Sequence, residues 1–388
     1  MRRTTSRGVN TVIAGRVPGG RGVRIHHSGG RITAVEPYLQ VPDRWLLPGM
    51  IDLQVNGYAG LDVNAAELST SVIHDLVRAG ARCGVTGFCP TVVTAGEERM
   101  THALAVIAAA CDEDEWTRHA VLGVHVEGPY LCAEDGPRGA HDATQLRAPS
   151  VAEFGHWQAA ANNRVRIVTL APELPGAADY IRHISGRGVL AAVGHTSASP
   201  AQITAAADAG ARMSTHLGNG VHALLPRHPN YIWAQLAETR LTASFIADGH
   251  HLPVDTFVAM LRAKGRGRRI LVSDSVALAG SPPGEYHTAV GGAVTLRPDG
   301  RLVLAGSNLL AGAASSLQEC LGWAIQRAGL GLRNAAAMTT SAPAALLGMS
   351  DRGNIMPGYW ADLTVLSRDL RVAQTVVRGR VVHDRAAH

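Results

Sequence analysis

A chain of 388 residues, 46% hydrophobic and only 4% aromatic, can bury a large core, and no uninterrupted apolar stretch reaches the ~18 residues of a membrane span. The net charge of +5 admits anionic partners, but the one dense basic run, Arg262–Arg269, has no interleaved aromatics and reads as a solvated loop, not a nucleic-acid patch. Five cysteines, an odd number with no C-x-x-C, argue against a disulfide framework or a cysteine zinc cluster, and no apolar segment follows Met1-Arg2-Arg3, so the expectation is a cytoplasmic protein.

From Val9 to Leu47 the sequence offers short β-like pieces: Asn10–Ile13, Gly22–His26, Arg31–Val35 and Trp45–Leu47. Gly19-Gly20, Gly29-Gly30 and Pro42-Asp43 punctuate them. The middle alternates. Candidate strands are Met50–Val55, Thr86–Val92, Val121–Val126, Val165–Leu170, Val189–Gly194, Arg212–His216, Thr242–Ala247 and Ile270–Ser273. Helix-compatible segments lie between them, such as Ser69–Cys83, Glu97–Cys111, Ala177–Gly186 and Ser199–Ala209. Eight strands with crossover helices predict an α/β fold, a (β/α)8 TIM barrel. An open doubly wound sheet is the rival, disfavoured because no Gly-rich phosphate turn follows the first strand.

Gly284–Gly306 carries hairpin signals at Gly291-Gly292 and Pro298-Asp299-Gly300 and reads as a β insertion near the active-site face. Helical segments at Ser315–Ala328, Leu332–Thr340 and Ala342–Leu347 would finish the barrel wall. Ala361–Leu366, Arg371–Val377 and Arg380–His383 return to β character. A small β-sandwich built from both termini, residues 1–48 and 350–388, around a barrel of residues 49–349 is the economical arrangement.

Barrel enzymes place their chemistry at the carboxyl ends of the strands. Val189–Gly220 reads as strand, helix, strand, with Gly194-His195-Thr196 closing the first strand and Thr215-His216-Leu217 the second. Parallel neighbours would bring His195 and His216 together. Glu127 closes the third strand, Asp274 the eighth, and Asp248-Gly249-His250-His251 the seventh. One carboxylate with two imidazoles, Glu127, His195 and His216, suits a single catalytic metal with an open position. Such a metal would lower the pKa of water and polarise a carbonyl. Asp274 is then the natural general base and, later, the acid for a leaving amine.

The segments LLPGMIDLQVNG, GVHVEGPYL, VTLAPE, GHT, THLGN, ADGHH, VSDS and GYWADLTVL occur in one order across nearly the whole chain. They resemble the amidohydrolase superfamily and, within it, the N-acetylglucosamine-6-phosphate deacetylases. The resemblance implies the barrel with its terminal sandwich, one divalent metal per subunit (Zn2+ first), a phosphorylated amino-sugar substrate, cytosolic aminosugar metabolism and a homodimer. It assigns Glu127, His195 and His216 as ligands, Asp274 as base, and His141 as the histidine bonded to the acetamide carbonyl. Gln54 takes a supporting position where many relatives carry H-x-H, and with Asn56 it argues for one metal rather than two. Ala140, Asn219, Gly220 and His251 match substrate-contacting residues, and Leu304, Ala305 and Gly306 match a loop over the sugar. Arg227 matches the phosphate ligand, often supplied by the neighbouring subunit.

Gly218 and Gly220 stand where the pattern usually has an aromatic and then Asn-Ala-Met, and are expected to loosen that loop. Cys132 reads first as a thiol without a role, and second as a gating or redox-sensitive position. The alternatives are an N-acetylgalactosamine-6-phosphate deacetylase, another amidohydrolase such as a cyclic amidase or dipeptidase, and a metal-free scaffold. Many of the other amidohydrolases add a bridging lysine, whereas the single lysine here, Lys264, falls in the basic run.

Overall fold

The computed structural model describes residues 12–288 and 292–387. Asn10 and Thr11 of the first expected strand and Gly291 of the expected hairpin lie outside the described residues. By compactness the chain divides in two. One unit takes the described residues up to Ile51, Gly80–Thr86 and the chain from Leu330 onward; the other takes Asp52–Ala79 and Gly87–Gly329.

In the first unit both chain ends share a seven-stranded sheet. Trp45–Pro48 pairs with Leu363–Leu366 on one side and with Val12–Arg16 on the other. Alternation of apolar and polar residues turns Ile13, Val23, Ile25, Leu46, Leu363 and Val365 into one core, the small β-sandwich. The helices Leu332–Thr339 and Ser341–Leu346 group with this unit instead of completing the barrel wall. The cause is local: a Cβ on Gly353 would lie 2.8 Å from Thr340 O and from Ala344 Cβ, so the returning chain packs directly on them.

The second architecture is a parallel eight-stranded sheet in sequential order. Its strands are β1 (Met50–Val55), β2 (Val85–Val93), β3 (Val124–Glu127), β4 (Val165–Leu170), β5 (Leu190–Val193), β6 (Met213–Ser214), β7 (Thr242–Ile246) and β8 (Arg269–Val272). Nearly every strand residue is buried, as expected where one face looks into a barrel and the other is covered by helices. The barrel closes where Asp274 N–H donates to Gln54 O at 3.0 Å and Asn56 N–H to Ser275 O at 2.8 Å. Asp52 seals the same seam, its carboxylate accepting the Ser273 N–H at 3.1 Å and the Gln54 N–H at 3.3 Å.

The crossover helices are α1 (Thr70–Arg82), α2 (Glu97–Glu113), α3 (Val151–Ala160), α4 (Ala177–Ser185), α5 (Pro200–Ala209), α6 (Tyr231–Ala237), α7 (Val254–Lys264) and α8 (Leu317–Gln326). Their starts are encoded locally. Ser199 with Gln202 and Ser316 with Glu319 form capping boxes on α5 and α8, and Asn230 caps α6. Between β8 and α8 a three-stranded antiparallel ribbon, Gly284–Thr288, Gly292–Leu296 and Leu302–Leu304, packs on its own small core of Leu278, Val294, Leu296 and Leu302.

Lys264 corrects the reading of the basic run as wholly solvated. Its side chain is buried at the end of α7, where Nζ donates to Gln235 O at 2.6 Å and Glu238 O at 2.7 Å. It thereby satisfies carbonyls that the C-terminus of α6 leaves open.

Candidate active site

Three of the four central groups sit two residues beyond their strands: His195 after β5, His216 after β6 and Asp274 after β8. Each has left-handed backbone, with φ of 50°, 28° and 50°. Non-glycine residues adopt this conformation at a cost and persist in it only where the surroundings enforce it. Glu127 is the last residue of β3.

The side chains converge. His195 Nε2 lies 3.1 Å from His216 Nε2, and Glu127 Oε1 lies 3.1 Å from His216 Nε2 and 3.5 Å from His195 Nε2. His195 Nδ1–H donates to Pro137 O at 2.7 Å, which leaves a lone pair on its Nε2. Two ring nitrogens and a carboxylate oxygen therefore face one point, with each residue less than a tenth exposed. That donor set fits a divalent cation and leaves a side open to the cavity. Burial opposes the Glu127 charge, but the nearby His195 and His216 outweigh it and hold the carboxyl well below its ordinary range. Burial pulls the His216 imidazole down, and Glu127 more than restores it.

His141 joins the group. A nitrogen of its ring, with Glu127 and His195, completes a set of ligand atoms within 4.8 Å of one another, a cluster that could bind a metal. Its ring stands edge-on to His195 with centroids 4.5 Å apart. Burial, then the nearby His195, push its pKa down to about 3, so it enters any chemistry as the neutral imidazole. Its buried Nδ1 has no partner among the described residues.

The residues where H-x-H might have stood do different work. Gln54 Nε2 donates to Glu127 Oε1 at 2.9 Å, and Asn56 Nδ2 donates to Asp274 Oδ1 at 2.8 Å. One amide steadies a presumed ligand and the other steadies the presumed base. The link from Asn56 to Asp274 was missed by sequence reasoning; only the Gln-x-Asn alternation, which puts both side chains on one face of β1 and its extension, hints at it. Burial, then the Glu127 charge, raise the Asp274 carboxyl to about 6. His251 Nδ1 donates to Asp248 Oδ2 at 2.7 Å, freeing its Nε2, whereas His250 turns away to Asp299 O at 3.0 Å.

A cavity of about 200 Å3 opens over these groups. Glu127, His141, His195, His216, Asn219, Gly220, His251, Asp274 and Ala140 all line it. Gln54 lies behind Glu127. Arg227, Ala305 and Gly306 are exposed and outside the lining, and the half-buried Leu304 is outside it too. The ribbon contributes Thr288 and Leu302 instead, and Leu304 packs half-buried against the ribbon's own core. Gly220 does not loosen its loop. Its φ is +58°, and a Cβ there would sit 2.6 Å from His195 Nδ1, so the glycine permits the loop to cross the imidazole. Cys132 is buried, its thiol 3.3 Å from Ser197 Oγ, and burial pushes its pKa up, as for an unreactive thiol.

A parallel barrel with imidazoles and carboxylates gathered at its strand ends defines a class of metal-assisted hydrolase folds. The amidohydrolase family pattern matches residues 45–382, and the chain belongs to that family. It is 34% identical to the N-acetylglucosamine-6-phosphate deacetylase of Bacillus subtilis, over 89% of this chain and 87% of that protein. It is also 34% identical to the N-acetylgalactosamine-6-phosphate deacetylase of Escherichia coli O157:H7, over 91% and 92%. The fold superposes with a TM-score of 0.85 and 29% identity on a variant N-acetyl-D-glucosamine-6-phosphate deacetylase from Mycobacterium smegmatis in complex with N-acetyl-D-glucosamine-6-phosphate, over 93% of this chain and 95% of that one. The Thermotoga maritima enzyme gives 0.86 and 25%, over 96% and 100%.

Proposed function

We propose that this amidohydrolase removes the acetyl group of N-acetylglucosamine 6-phosphate, giving acetate and glucosamine 6-phosphate. The carrying observation is the convergence of Glu127, His195 and His216 beside Asp274 and His141 in one cavity, in a chain resembling such deacetylases along most of its length. Glu127, His195 and His216 would hold one divalent cation, zinc first. Bound there, it supplies Lewis acidity, lowering the pKa of water and polarising a carbonyl.

The chain's own residues do the rest. Asp274, with Oδ1 held by Asn56, takes the proton of the attacking water and returns it to the departing nitrogen. His141, neutral and walled in, donates to the amide oxygen as negative charge builds on it. Asn219, Gly220, Ala140 and His251 surround the sugar. Arg227 meets the phosphate, from the partner subunit of a homodimer; its exposure outside the cavity lining, in a stretch of chain where Leu224 is 91% and Trp233 56% exposed, supports that arrangement. The barrel, expected over residues 49–349 but without the two helices from Leu332 to Leu346 that group with the sandwich, is the catalytic domain in this reading, and the enzyme works in the cytoplasm. No helix among the described residues is long and apolar enough to cross a membrane.

The test is acetate release from N-acetylglucosamine 6-phosphate by zinc-loaded protein, with Asp274→Asn beside it. Turnover abolished by the substitution supports the reading; no turnover with metal bound sinks it. The galactosamine epimer belongs in the same assay, because the E. coli relative named for it is as similar as the B. subtilis one. Light scattering that finds only monomers would remove the partner's role for Arg227.

A further inference from the structure

One carboxylate, Glu134, links the loops that follow β3, β5 and β6. Its Oε1 accepts the Ser197 hydroxyl at 3.0 Å, and its Oε2 accepts His222 Nε2–H at 2.9 Å. His222 is gripped from the other side as well. Its backbone N–H donates to the Tyr231 hydroxyl oxygen at 2.9 Å, and that hydroxyl donates back to Nδ1 at 2.9 Å. This reciprocal pair assigns the ring proton to Nε2, where Glu134 receives it. Tyr231 is buried at the start of α6. The two loops also touch through backbone: a Cβ on Gly136, whose φ is +95°, would lie 2.8 Å from Val221 O and 2.9 Å from His222 Cα.

Past Gly220, which is fitted against His195, the chain up to Asn230 forms no strand or helix. Among the described residues of 220–229, His222 alone uses its side chain to bond another segment. None of Glu134, Ser197, His222 and Tyr231 lines the cavity over the presumed ligands.

We propose that His222, clamped between Tyr231 and Glu134, is a positioning residue that sets where this loop presents Asn219, Gly220 and Arg227 to the sugar-phosphate end of the substrate. The proposal rests on the deacetylase reading above. A freed loop spends less time in the competent arrangement, and apparent affinity falls by that fraction. Bond cleavage should be unaffected, because Asp274, Glu127 and His195 are held by other contacts. The signature is a rise in KM without a matching fall in kcat.

The experiment uses the zinc-loaded full chain and compares wild type, His222→Ala, Glu134→Ala, the double variant and His222→Gln. With N-acetylglucosamine 6-phosphate, each alanine variant should raise KM about three- to tenfold, a scale set by partly exposed hydrogen-bonded pairs, and leave kcat within about twofold. KM for the unphosphorylated sugar should move less. The double variant should be no worse than His222→Ala, because the two residues act through one another. His222→Gln, which can still donate to Glu134, should recover part of the loss. Amide hydrogen exchange of residues 217–231, measured without ligand, should quicken in both alanine variants. Unchanged KM, additive effects, or an equal loss of kcat on both sugars would overturn the clamp. If the wild type releases no acetate, the deacetylase reading falls, and exchange alone then judges the clamp: unchanged exchange overturns it.

Discussion

At the floor of the cavity, Glu127, His195 and His216 are each less than a tenth exposed, and each is pinned by a neighbour at hydrogen-bond distance. At the rim, a few residues further along the chain from His216, Leu224 is 91% exposed and Arg227 points no side chain into the cavity lining. The floor obtains its geometry by forcing non-glycine residues into left-handed backbone; the rim reaches the same region of φ with Gly218 and Gly220. The floor is therefore suited to chemistry that tolerates no displacement. The outer rim, beyond Gly220, can alter which substrate is held without disturbing the floor. Substitutions at the two places should fail in different ways.

The largest effect belongs to Asp274→Asn. Removing a proton carrier should cost about 10²–10⁴ in kcat, with metal content and melting temperature unchanged. Metal analysis beside the kinetics checks this, and undiminished turnover would move the base elsewhere.

Asn56→Ala sharpens the same comparison, because it leaves every reacting group in place. The Asn56 N–H favours the ionised form of Asp274, whose carboxyl burial and Glu127 otherwise raise to about 6. Without that hydrogen bond the pKa rises further. A base must be ionised, so the acid limb of kcat/KM should move to higher pH, and the loss should be greater at pH 6 than at pH 8. A uniform loss across pH would mean that Asn56 acts through structure alone.

Gly220→Ala tests whether the rim's glycine is a hinge or a fitted contact. An alanine at φ +58° carries about 1–2 kcal/mol of backbone strain. Its Cβ would also press on His195 Nδ1, the atom bonded to Pro137. Metal retention should therefore fall together with stability. Gly267 supplies the control: its φ is +81° and nothing among the described residues lies within 4 Å of an added Cβ. Gly267→Ala should show the strain alone. Equal behaviour of the two variants would reduce Gly220 to an ordinary flexible position.

Much of this was legible in the sequence, for identifiable reasons. Barrel strands buried on both faces write themselves as short apolar runs, so β1 and β4 fall where expected and the others within a few residues. The site was visible because His, Glu and Asp interrupt those runs at one end. Helices α3 and α6 were missed. The first contains Gly155, and the second is only seven residues long and follows Pro226 and Pro229 closely. Pairings across long separations were invisible: Asn56 meets Asp274 218 positions away, and Glu134 meets His222 88 away. Such contacts follow from barrel closure and loop packing, which no local pattern encodes.

Lys264 is the clearest case, and it yields the smallest predicted effect. In the sequence it is one cation among many; in the fold it is a buried ammonium serving two carbonyls. Lys264→Met keeps the volume but leaves Gln235 O and Glu238 O without that donor, which should cost about 1–3 kcal/mol and leave catalysis intact. The pH dependence carries a definite sign. Burial lowers the folded pKa from 10.5 to about 8, so between those values the unfolded chain holds a proton that the folded chain has released. Stability therefore rises with pH across that window in the wild type relative to the Met variant. Denaturant unfolding at pH 7.5, 9 and 10.5 checks it. A stability difference that stays flat or shrinks would mean that the ammonium keeps its charge in the fold. The helix end would then hold it more tightly than burial repels it.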